Sequence, residues 1–212
     1  MTKDLSGYRD KYLKGELNES DLPDNPFVLF SKWFDEIEKF GTEIEPNAMS
    51  LSTVSSDYLP LTRIVLLKKF SESGFIFFTN YNSRKGKNIS VNSNVCLSFY
   101  WPSMERQVII QGITHKISEH DSIEYFNSRP QSSRVGAIIS NQSEVIPSRN
   151  YIDEKLNNFI SNNKKLIKPK NWGGFNVVPS SIEFWQGRDN RLHDRIIFFN
   201  ENKNWIKKRL SP

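Results

Sequence analysis

The stretch FWQGRDNRLHDR, residues 184–195, concentrates side chains that can bind an anion or carry a proton. If its last five residues are extended, their side chains alternate between two faces, and Arg191, His193 and Arg195 share one face. Cations on one face repel one another unless an anion lies among them, so the pattern favours an anion-binding face. The alternative interpretation is an exposed edge strand whose charges discourage aggregation.

The stretch RIVLLKK, residues 63–69, carries cations at both ends of an apolar run. As a strand it has one face with Arg63, Val65 and Leu67 and another with Ile64, Leu66 and Lys68. The end cations are consistent with an anion site. They are equally consistent with a central strand whose long side chains reach out to water.

The stretch TNYNSRKGKN, residues 79–88, contains a predicted helix start with Asn82 or Ser83 as N-cap. Arg84 and Lys85 then lie in the first turn. Cations are unfavourable at the positive end of a helix dipole unless an anion is bound there, and free N–H groups suit a phosphate. The pattern predicts a phosphate cradle, with a solvated helix start as the alternative.

The stretch EYFNSRPQSSRVG, residues 124–136, offers a second candidate anion site. Tyr125 and Arg129 are one helical turn apart, so their side chains can meet on one face, and Ser133 follows closely. An arginine with hydroxyl groups binds anions through charge-assisted hydrogen bonds. The alternative is an ordinary surface loop.

Composition narrows the class of protein. The 212 residues carry a net charge of +5, which favours anionic partners, but the basic residues form no dense tail of the kind that binds nucleic acid. The single cysteine, Cys96, excludes an intrachain disulfide and a cysteine-based metal cluster, and the three histidines have no metal-site spacing. No apolar run approaches the roughly eighteen residues of a membrane span. We therefore expect a cytoplasmic protein without a metal, a nucleic-acid partner or a membrane anchor.

Periodicity predicts a mixed architecture of helices and strands. Helical spacing marks residues 27–40, 118–129 and 149–160, the second with Ser118 and Asp121 in capping-box positions. Strands are predicted at 47–54, 61–70, 74–80, 95–101, 106–118, 172–178, 181–187 and 191–199. The expected fold is α+β, a β-barrel of antiparallel strands with inserted and flanking helices. The predicted organisation is an N-terminal arm, 1–25, followed by a single domain, 26–212.

Taken together and in order, the motifs resemble the pyridoxine/pyridoxamine 5′-phosphate oxidase family from about Tyr8 to the terminal RLSP. The matching motifs are RIVLLK (63–68), FFTN (77–80), SRK (83–85), ERQV (105–108), YFNSRP (125–130), QS (142–143), WGGF (172–175), EFWQG (183–187) and NRLHDR (190–195). The resemblance implies a split β-barrel that binds FMN as a homodimer, with both sites at the subunit interface. The implied reaction oxidises pyridoxine and pyridoxamine 5′-phosphates to pyridoxal 5′-phosphate. A hydride passes from C4′ to flavin N5, and O2 reoxidises the flavin to give H2O2.

The resemblance also implies roles for individual residues. The implied FMN contacts are Arg63, Ile64, Val65, Leu66, Leu67, Lys68, Phe78, Thr79, Arg84, Lys85, Gln107, Gln142, Ser143, Trp185 and Arg195. The implied substrate contacts are Arg9, Tyr12, Lys68, Tyr125, Arg129, Ser133, Arg191 and His193, the last two also being the implied catalytic residues. Phe78 departs from the family, whose members often have tyrosine there.

Three other functions compete with this interpretation. Another FMN oxidase on the same barrel, such as a phenazine-biosynthesis relative, would use a different reductant. A carrier of flavin or pyridoxal phosphate would have no catalytic activity. A barrel with basic and aromatic residues could also bind single-stranded nucleic acid.

Overall fold

A computed structural model of the chain describes residues 1–7, 11–162, 165–202 and 204–212. The helices are α1 Pro26–Phe40, α2 Arg84–Val91, α3 Glu119–Ser128, α4 Gln131–Ile139 and α5 Arg149–Ser161. The strands are β1 Ala48–Val54, β2 Pro60–Leu66, β3 Lys69–Ser71, β4 Gly74–Asn80, β5 Asn94–Trp101, β6 Arg106–Lys116, β7 Trp172–Gln186, β8 Asp194–Glu201 and β9 Asn204–Leu210. No helix among these residues is both long and apolar enough to cross a membrane.

The strands belong to one sheet with the order β2-β1-β5-β6-β7-β4-β3, and β8 pairs with both β7 and β9. The pairs β3–β4, β4–β7, β7–β8 and β8–β9 are antiparallel. Phe77 is opposite Phe175 in one of these pairs, and Trp185 is opposite Arg195 in another. The predicted α+β class of antiparallel strands with helices is confirmed.

The first of two compact units comprises residues 1–49, 97–111 and 179–212. Its core forms around α1, whose apolar residues recur at helical spacing. Phe30 lies 5.3 Å from the Phe99 ring, and Trp33 meets Phe184 edge-on at 5.2 Å. Asn25 caps the helix by accepting a hydrogen bond from the Phe27 amide.

The second unit comprises residues 50–96 and 112–178. Strands β4 and β7 supply its core, in which the Phe77 and Phe175 rings are 5.7 Å apart. Gly173 lies in this pairing, where a Cβ would collide with the Tyr81 hydroxyl. The glycine after Trp172 is therefore required by this close approach. The unit also contains α2 to α5, which follow the strands along the chain.

Most predicted elements agree with the structure. Helix α1, strand β4 and the N-caps Ser83 and Ser118 are confirmed, and α3 ends before Arg129. The strand predicted for 61–70 divides into β2 and β3, whereas those predicted for 172–178 and 181–187 form the single strand β7. Helix α4 and strand β9 were not predicted.

The expectation that RLHDR is extended is wrong, because β8 begins only at Asp194. Residues 189–191 form a 3-10 turn in which Asn190 and Arg191 have φ values of 54° and 60°. The turn is closed by a hydrogen bond from the Leu192 amide to the Asp189 carbonyl. Arg191, His193 and Arg195 therefore do not share one face of a strand.

The predicted division into an arm, 1–25, and a single domain, 26–212, stays a prediction.

Candidate functional site

A cavity of about 430 Å³ lies within the second unit. Strand β2 and the residues after it contribute Ile64, Val65, Leu66 and Lys68, and β4 contributes Phe78, Thr79 and Asn80. The helical segments contribute Lys85, Tyr125, Arg129 and Ser133, and the chain after α4 contributes Ser140 and Gln142. The structure thus brings most of the predicted cofactor and substrate residues of this unit into one cavity.

One part of the cavity is built around Lys85, which is only 9% exposed. Its Nζ donates to Oε1 of Gln142 at 3.1 Å, and the Thr79 hydroxyl donates to the same oxygen at 3.1 Å. Burial, together with the nearby positive charge of Arg63, lowers the pKa of Lys85 from 10.5 to about 8. The ammonium is therefore held in a place where its charge is unfavourable without an anion.

Arg63 and Arg84 lie beside this group. Nη1 of Arg63 donates to the Leu51 carbonyl and to the Thr53 hydroxyl, each at 2.9 Å. Burial and the neighbouring Arg84 lower the pKa of Arg63. Arg84 itself is exposed in the first turn of α2. Within the described parts of the chain, no carboxylate lies within 4.0 Å of these arginines or of Lys85.

A second part of the cavity combines Arg129 with aromatic rings. The guanidinium carbon of Arg129 lies 4.8 Å from the centroid of the Trp172 ring. Tyr125 stacks on Phe78 with a centroid distance of 3.8 Å. Burial lowers the pKa of Arg129 and raises that of Tyr125. Nη1 of Arg129 is buried and has no hydrogen-bond partner among the described residues, so it is available to a ligand.

These cations indicate what the cavity can bind. A buried guanidinium or ammonium without a counter-ion costs free energy that a bound anion removes. Lys85 and Arg129 line the same cavity from different helical segments, together with hydroxyl groups. The arrangement suits ligands that carry phosphate groups.

The first unit contains a separate cluster of Tyr12, Trp185 and His193. The His193 ring lies 4.7 Å from Trp185, and Tyr12 meets both rings edge-on at 5.6 and 5.7 Å. Nδ1 of His193 accepts a hydrogen bond from the Arg188 amide at 3.1 Å. Burial, and then the charge of Arg191, lowers the pKa of His193. The imidazole is therefore neutral near pH 7, with its proton on Nε2.

The remaining predicted residues have varied surroundings. Nε of Arg195 donates to Oε1 of Glu183 at 2.8 Å, so this guanidinium has a counter-ion. Gln107 is half-buried on β6, and Arg191 is exposed. Leu67 is buried directly after β2, and Ser143 is exposed with a φ of 76°. Arg9 lies outside the described residues.

Sequence reasoning did not assign Trp172, Asn80 or Ser140 to the cavity. The WGGF motif was available as a signal for the surroundings of Trp172, because glycines inside a strand indicate a close approach of another part of the chain to the backbone. Gly136 and Ala137 of α4 also line the cavity. The helical spacing of Val135 and Ile139 could have indicated α4.

Comparison with known families gives two matches that together cover most of the chain. Residues 34–159 match the family model described as "Pyridoxamine 5'-phosphate oxidase". Residues 172–212 match the model described as "Pyridoxine 5'-phosphate oxidase C-terminal dimerisation region".

Relatives with high identity span the whole chain. The pyridoxine/pyridoxamine 5′-phosphate oxidase of Flavobacterium johnsoniae is 54% identical over 211 residues, which are 98% of this chain and 99% of that protein. The protein of the same name from Christiangramia forsetii is 51% identical over 214 residues, covering 100% of both chains.

Solved structures share the fold. PhzG from Burkholderia lata 383, crystallised with tetrahydrophenazine-1-carboxylic acid, has a TM-score of 0.86 at 24% identity, with 91% of this chain and 95% of that chain covered. A pyridoxamine 5′-phosphate oxidase-related, FMN-binding protein from Nostoc punctiforme PCC 73102 has a TM-score of 0.70 at 15% identity, with 87% and 96% covered. The predicted split β-barrel is confirmed.

Proposed function

The chain belongs to the pyridoxine/pyridoxamine 5′-phosphate oxidase family, and we propose that it oxidises pyridoxine and pyridoxamine 5′-phosphates to pyridoxal 5′-phosphate with FMN as cofactor. The observation that carries the proposal is the cavity in which Lys85 and Arg129 have no carboxylate partner among the residues that the structure describes. A phosphorylated cofactor and a phosphorylated substrate provide the two anions that such cations require.

The residues around Lys85 fit FMN. Arg63, Arg84 and Lys85 would bind the phosphate, and the lowered pKa of Lys85 and its burial agree with a site completed by an anion. Thr79 and Gln142 supply hydroxyl and amide groups beside them. Phe78 has no hydroxyl, so any contact it makes uses its backbone or ring. The other predicted FMN contacts stay proposals: Ile64, Val65, Leu66, Leu67, Lys68, Gln107, Ser143, Trp185 and Arg195.

FMN bound there would supply a two-electron acceptor for the hydride that leaves C4′ of the substrate, and O2 would be the final oxidant, reduced to H2O2.

We assign the substrate phosphate to Tyr125, Arg129 and Ser133, which we call the phosphate clamp. Arg129 would donate charge-assisted hydrogen bonds from its buried Nη1, and the two hydroxyl groups would add further bonds. Holding the phosphate at one point fixes the orientation of the attached pyridine ring. Such positioning can lower a barrier by several kcal/mol. Lys68, which lines the same cavity, is proposed as a further contact.

His193 and Arg191 are proposed to contact the substrate near C4′. The neutral imidazole has its proton on Nε2, which can donate a hydrogen bond to the substrate oxygen. Arg191 is exposed and can donate from a planar fork. Tyr12 packs on the His193 ring, and we propose that it contacts the substrate, whereas the substrate contact expected of Arg9 stays a prediction.

We further propose that two copies of the chain form a homodimer with the cofactor and substrate sites at their interface. The match of residues 172–212 to a dimerisation region supports this assembly. Sedimentation of the FMN-loaded protein should give the mass of a dimer, and a stable flavin-loaded monomer would refute the assembly. The cytoplasmic location expected from the sequence stays a prediction, which cell fractionation would test.

One experiment tests the reaction. Pyridoxine 5′-phosphate added without oxygen should bleach the flavin absorbance band, and admission of oxygen should restore it with formation of H2O2. Dephosphorylated pyridoxine should react far more slowly, because it lacks the group that the phosphate clamp binds. Equal rates for the two compounds would favour an FMN oxidase with a different reductant. A yellow protein that is not bleached would favour a carrier, and a colourless one would leave nucleic-acid binding to be tested.

A further inference from the structure

The indole of Trp172 contacts both the arginine and the tyrosine of the phosphate clamp. The guanidinium carbon of Arg129 is 4.8 Å from the centroid of its ring. The Tyr125 ring is nearly parallel to the indole, with an interplanar angle of 7° and a centroid distance of 6.2 Å. Phe78 is also nearly parallel to the indole, at 5.5 Å and 17°. Trp172 is 6% exposed, so the indole itself is closely packed.

A second arginine of the chain has the same aromatic contact but a different charge environment. Arg106 lies 4.5 Å from the centroid of the Trp33 ring. It is also paired with Oε2 of Glu36 at 2.5 Å and bonded to Oε1 of Gln186 at 3.0 Å. Arg129 has no carboxylate within 4.0 Å in the described part of the chain. Its orientation therefore depends on the indole rather than on an ion pair.

This difference has a chemical consequence. A carboxylate orients a guanidinium but also occupies its donors and neutralises its charge. An aromatic face attracts the guanidinium through the ring quadrupole and leaves the N–H donors at its edge available. An arginine that must bind a phosphate is better held by a ring than by an acid.

Trp172 is itself fixed by its backbone. It pairs with Asn80 in the β4–β7 register, and its carbonyl accepts a hydrogen bond from Nζ of Lys168 at 2.7 Å. The Lys168 side chain is 3% exposed and also contacts Oε1 of Glu119, at 3.0 Å, in the first turn of α3. Helix α3 carries Tyr125 and ends before Arg129. A buried lysine therefore connects the start of β7 to the helix that carries the tyrosine of the clamp.

We propose that Trp172 is a positioning residue of the phosphate clamp, because its indole holds the Arg129 guanidinium and the Tyr125 ring in the orientation that binds the substrate phosphate. This role rests on the proposed function. It predicts that Trp172 affects the binding of phosphorylated ligands through Arg129 and has little effect on the chemical step.

The first test replaces Trp172 in the FMN-saturated enzyme by Leu and by Phe. For the leucine variant, KM for pyridoxine 5′-phosphate and Kd for pyridoxal 5′-phosphate, the latter by calorimetry, should each rise about 10-fold, within the range of a desolvated cation–π contact. Trp172→Phe keeps an aromatic face and should raise both only about 3-fold, with kcat nearly unchanged in each variant. If the leucine variant does not fold, the phenylalanine variant decides, since wild-type constants there would overturn the proposal.

Trp33→Leu is the matched control. Trp33 is 2% exposed and lies under a guanidinium in the same way, but its arginine is neutralised by Glu36. The substitution should lower thermal stability and leave both constants unchanged. A rise in KM equal to that of Trp172→Leu would show that any loss of a buried indole weakens binding, which would overturn the specific role.

The second test combines Trp172→Leu with Arg129→Ala. If Trp172 acts through Arg129, its replacement should change KM less than about 2-fold once Arg129 is absent, because residues that act together are not additive. A full additional 10-fold rise would overturn the proposal. The wild-type enzyme separates this result from failure of the proposed function. A wild type that pyridoxine 5′-phosphate cannot reduce refutes the function. If pyridoxine 5′-phosphate reduces the wild-type flavin but KM and Kd are unchanged in Trp172→Leu, only the positioning role is refuted.

Discussion

Replacement of Lys85 by methionine should stabilise the protein without FMN and weaken its binding of FMN. Lys85 is 9% exposed, and its pKa is lowered from 10.5 to about 8 by burial and by Arg63. At 1.36 kcal/mol per pKa unit, this shift corresponds to about 3 kcal/mol of unfavourable charge burial. The variant loses the hydrogen bond from Lys85 to Gln142, worth about 1 kcal/mol, but Thr79 still donates to the same oxygen. We therefore expect a net gain of about 2 kcal/mol, or about 4–8 °C in Tm for a chain of this length.

The gain should depend on pH in a defined direction. Lys85 has a lower pKa in the folded state than in the unfolded state, so the unfolded state binds more protons between pH 8 and 10.5. Wild-type stability should therefore rise across this window, and the cost of the charge is fully present below pH 8. The difference in Tm between Lys85→Met and wild type should be largest at pH 7 and should shrink towards pH 10.

FMN binding should become weaker in Lys85→Met, although the flavin-free protein becomes more stable. Loss of a hydrogen bond between a cation and a phosphate should weaken FMN by about 1.5–3 kcal/mol, measured by titration of the protein freed of flavin. Riboflavin, which has no phosphate, should bind both proteins equally. Lys87→Met is the control, since Lys87 lies on the same helix but is exposed, and it should change neither Tm nor FMN binding. A lower Tm for flavin-free Lys85→Met than for wild type would refute the reasoning, as would an equal loss of riboflavin binding.

Three further outcomes are expected. Arg191→Lys should retain FMN but lose roughly 10²–10³ in kcat/KM, because lysine has no planar guanidinium to copy the hydrogen-bond geometry. His193→Asn should raise KM more than it lowers kcat. Near-wild-type kinetics for Arg191→Lys would contradict its catalytic assignment. The acid limb of the kcat/KM profile should lie below pH 6.5, because burial and Arg191 lower the pKa of His193, and Arg191→Gln should move the limb to higher pH. Lys168→Met should lower stability by about 2–3 kcal/mol in chemical denaturation, because the Trp172 and Pro169 carbonyls lose their buried donor; an unchanged midpoint would contradict this reading of Lys168.

Local sequence signals predicted much of the fold because their causes are local. Ser83 and Ser118 cap helices through their own side chains, and α1 shows its buried face in its spacing. The turn at 189–191 could not be predicted in this way. Its left-handed residues Asn190 and Arg191 depend on hydrogen bonds that form only when the chain folds back, such as that from Arg188 to His193.

The candidate site was predicted in part for the same reason. Hydroxyl and cationic residues in short motifs placed Lys85 and Arg129 in anion sites, and both line the cavity. The WGGF motif did not show which side chains Trp172 contacts, because its part in the cavity depends on contacts with Arg129 and Tyr125 across 43 and 47 positions of sequence. Tertiary contacts of this kind decide which aromatic residue supports a site and which only fills a core.

Pairing with carboxylates separates arginines that stabilise the fold from those available to ligands. Arg106, Arg149, Arg188, Arg195 and Arg209 each have an acidic partner. Five arginines of the described ranges have no carboxylate within 4.0 Å: Arg63, Arg84, Arg129, Arg134 and Arg191. All of these except Arg134 were predicted to bind cofactor or substrate. Arg195 is the reverse case, because it was predicted to contact FMN and yet is bonded to Glu183. An ion pair occupies the donors that a phosphate would use, so Arg195 can bind FMN only through the N–H groups that Glu183 leaves available. The positive charges of Arg63 and Arg129 are not neutralised by a carboxylate of the described residues, so these two arginines can bind an anion with their full charge.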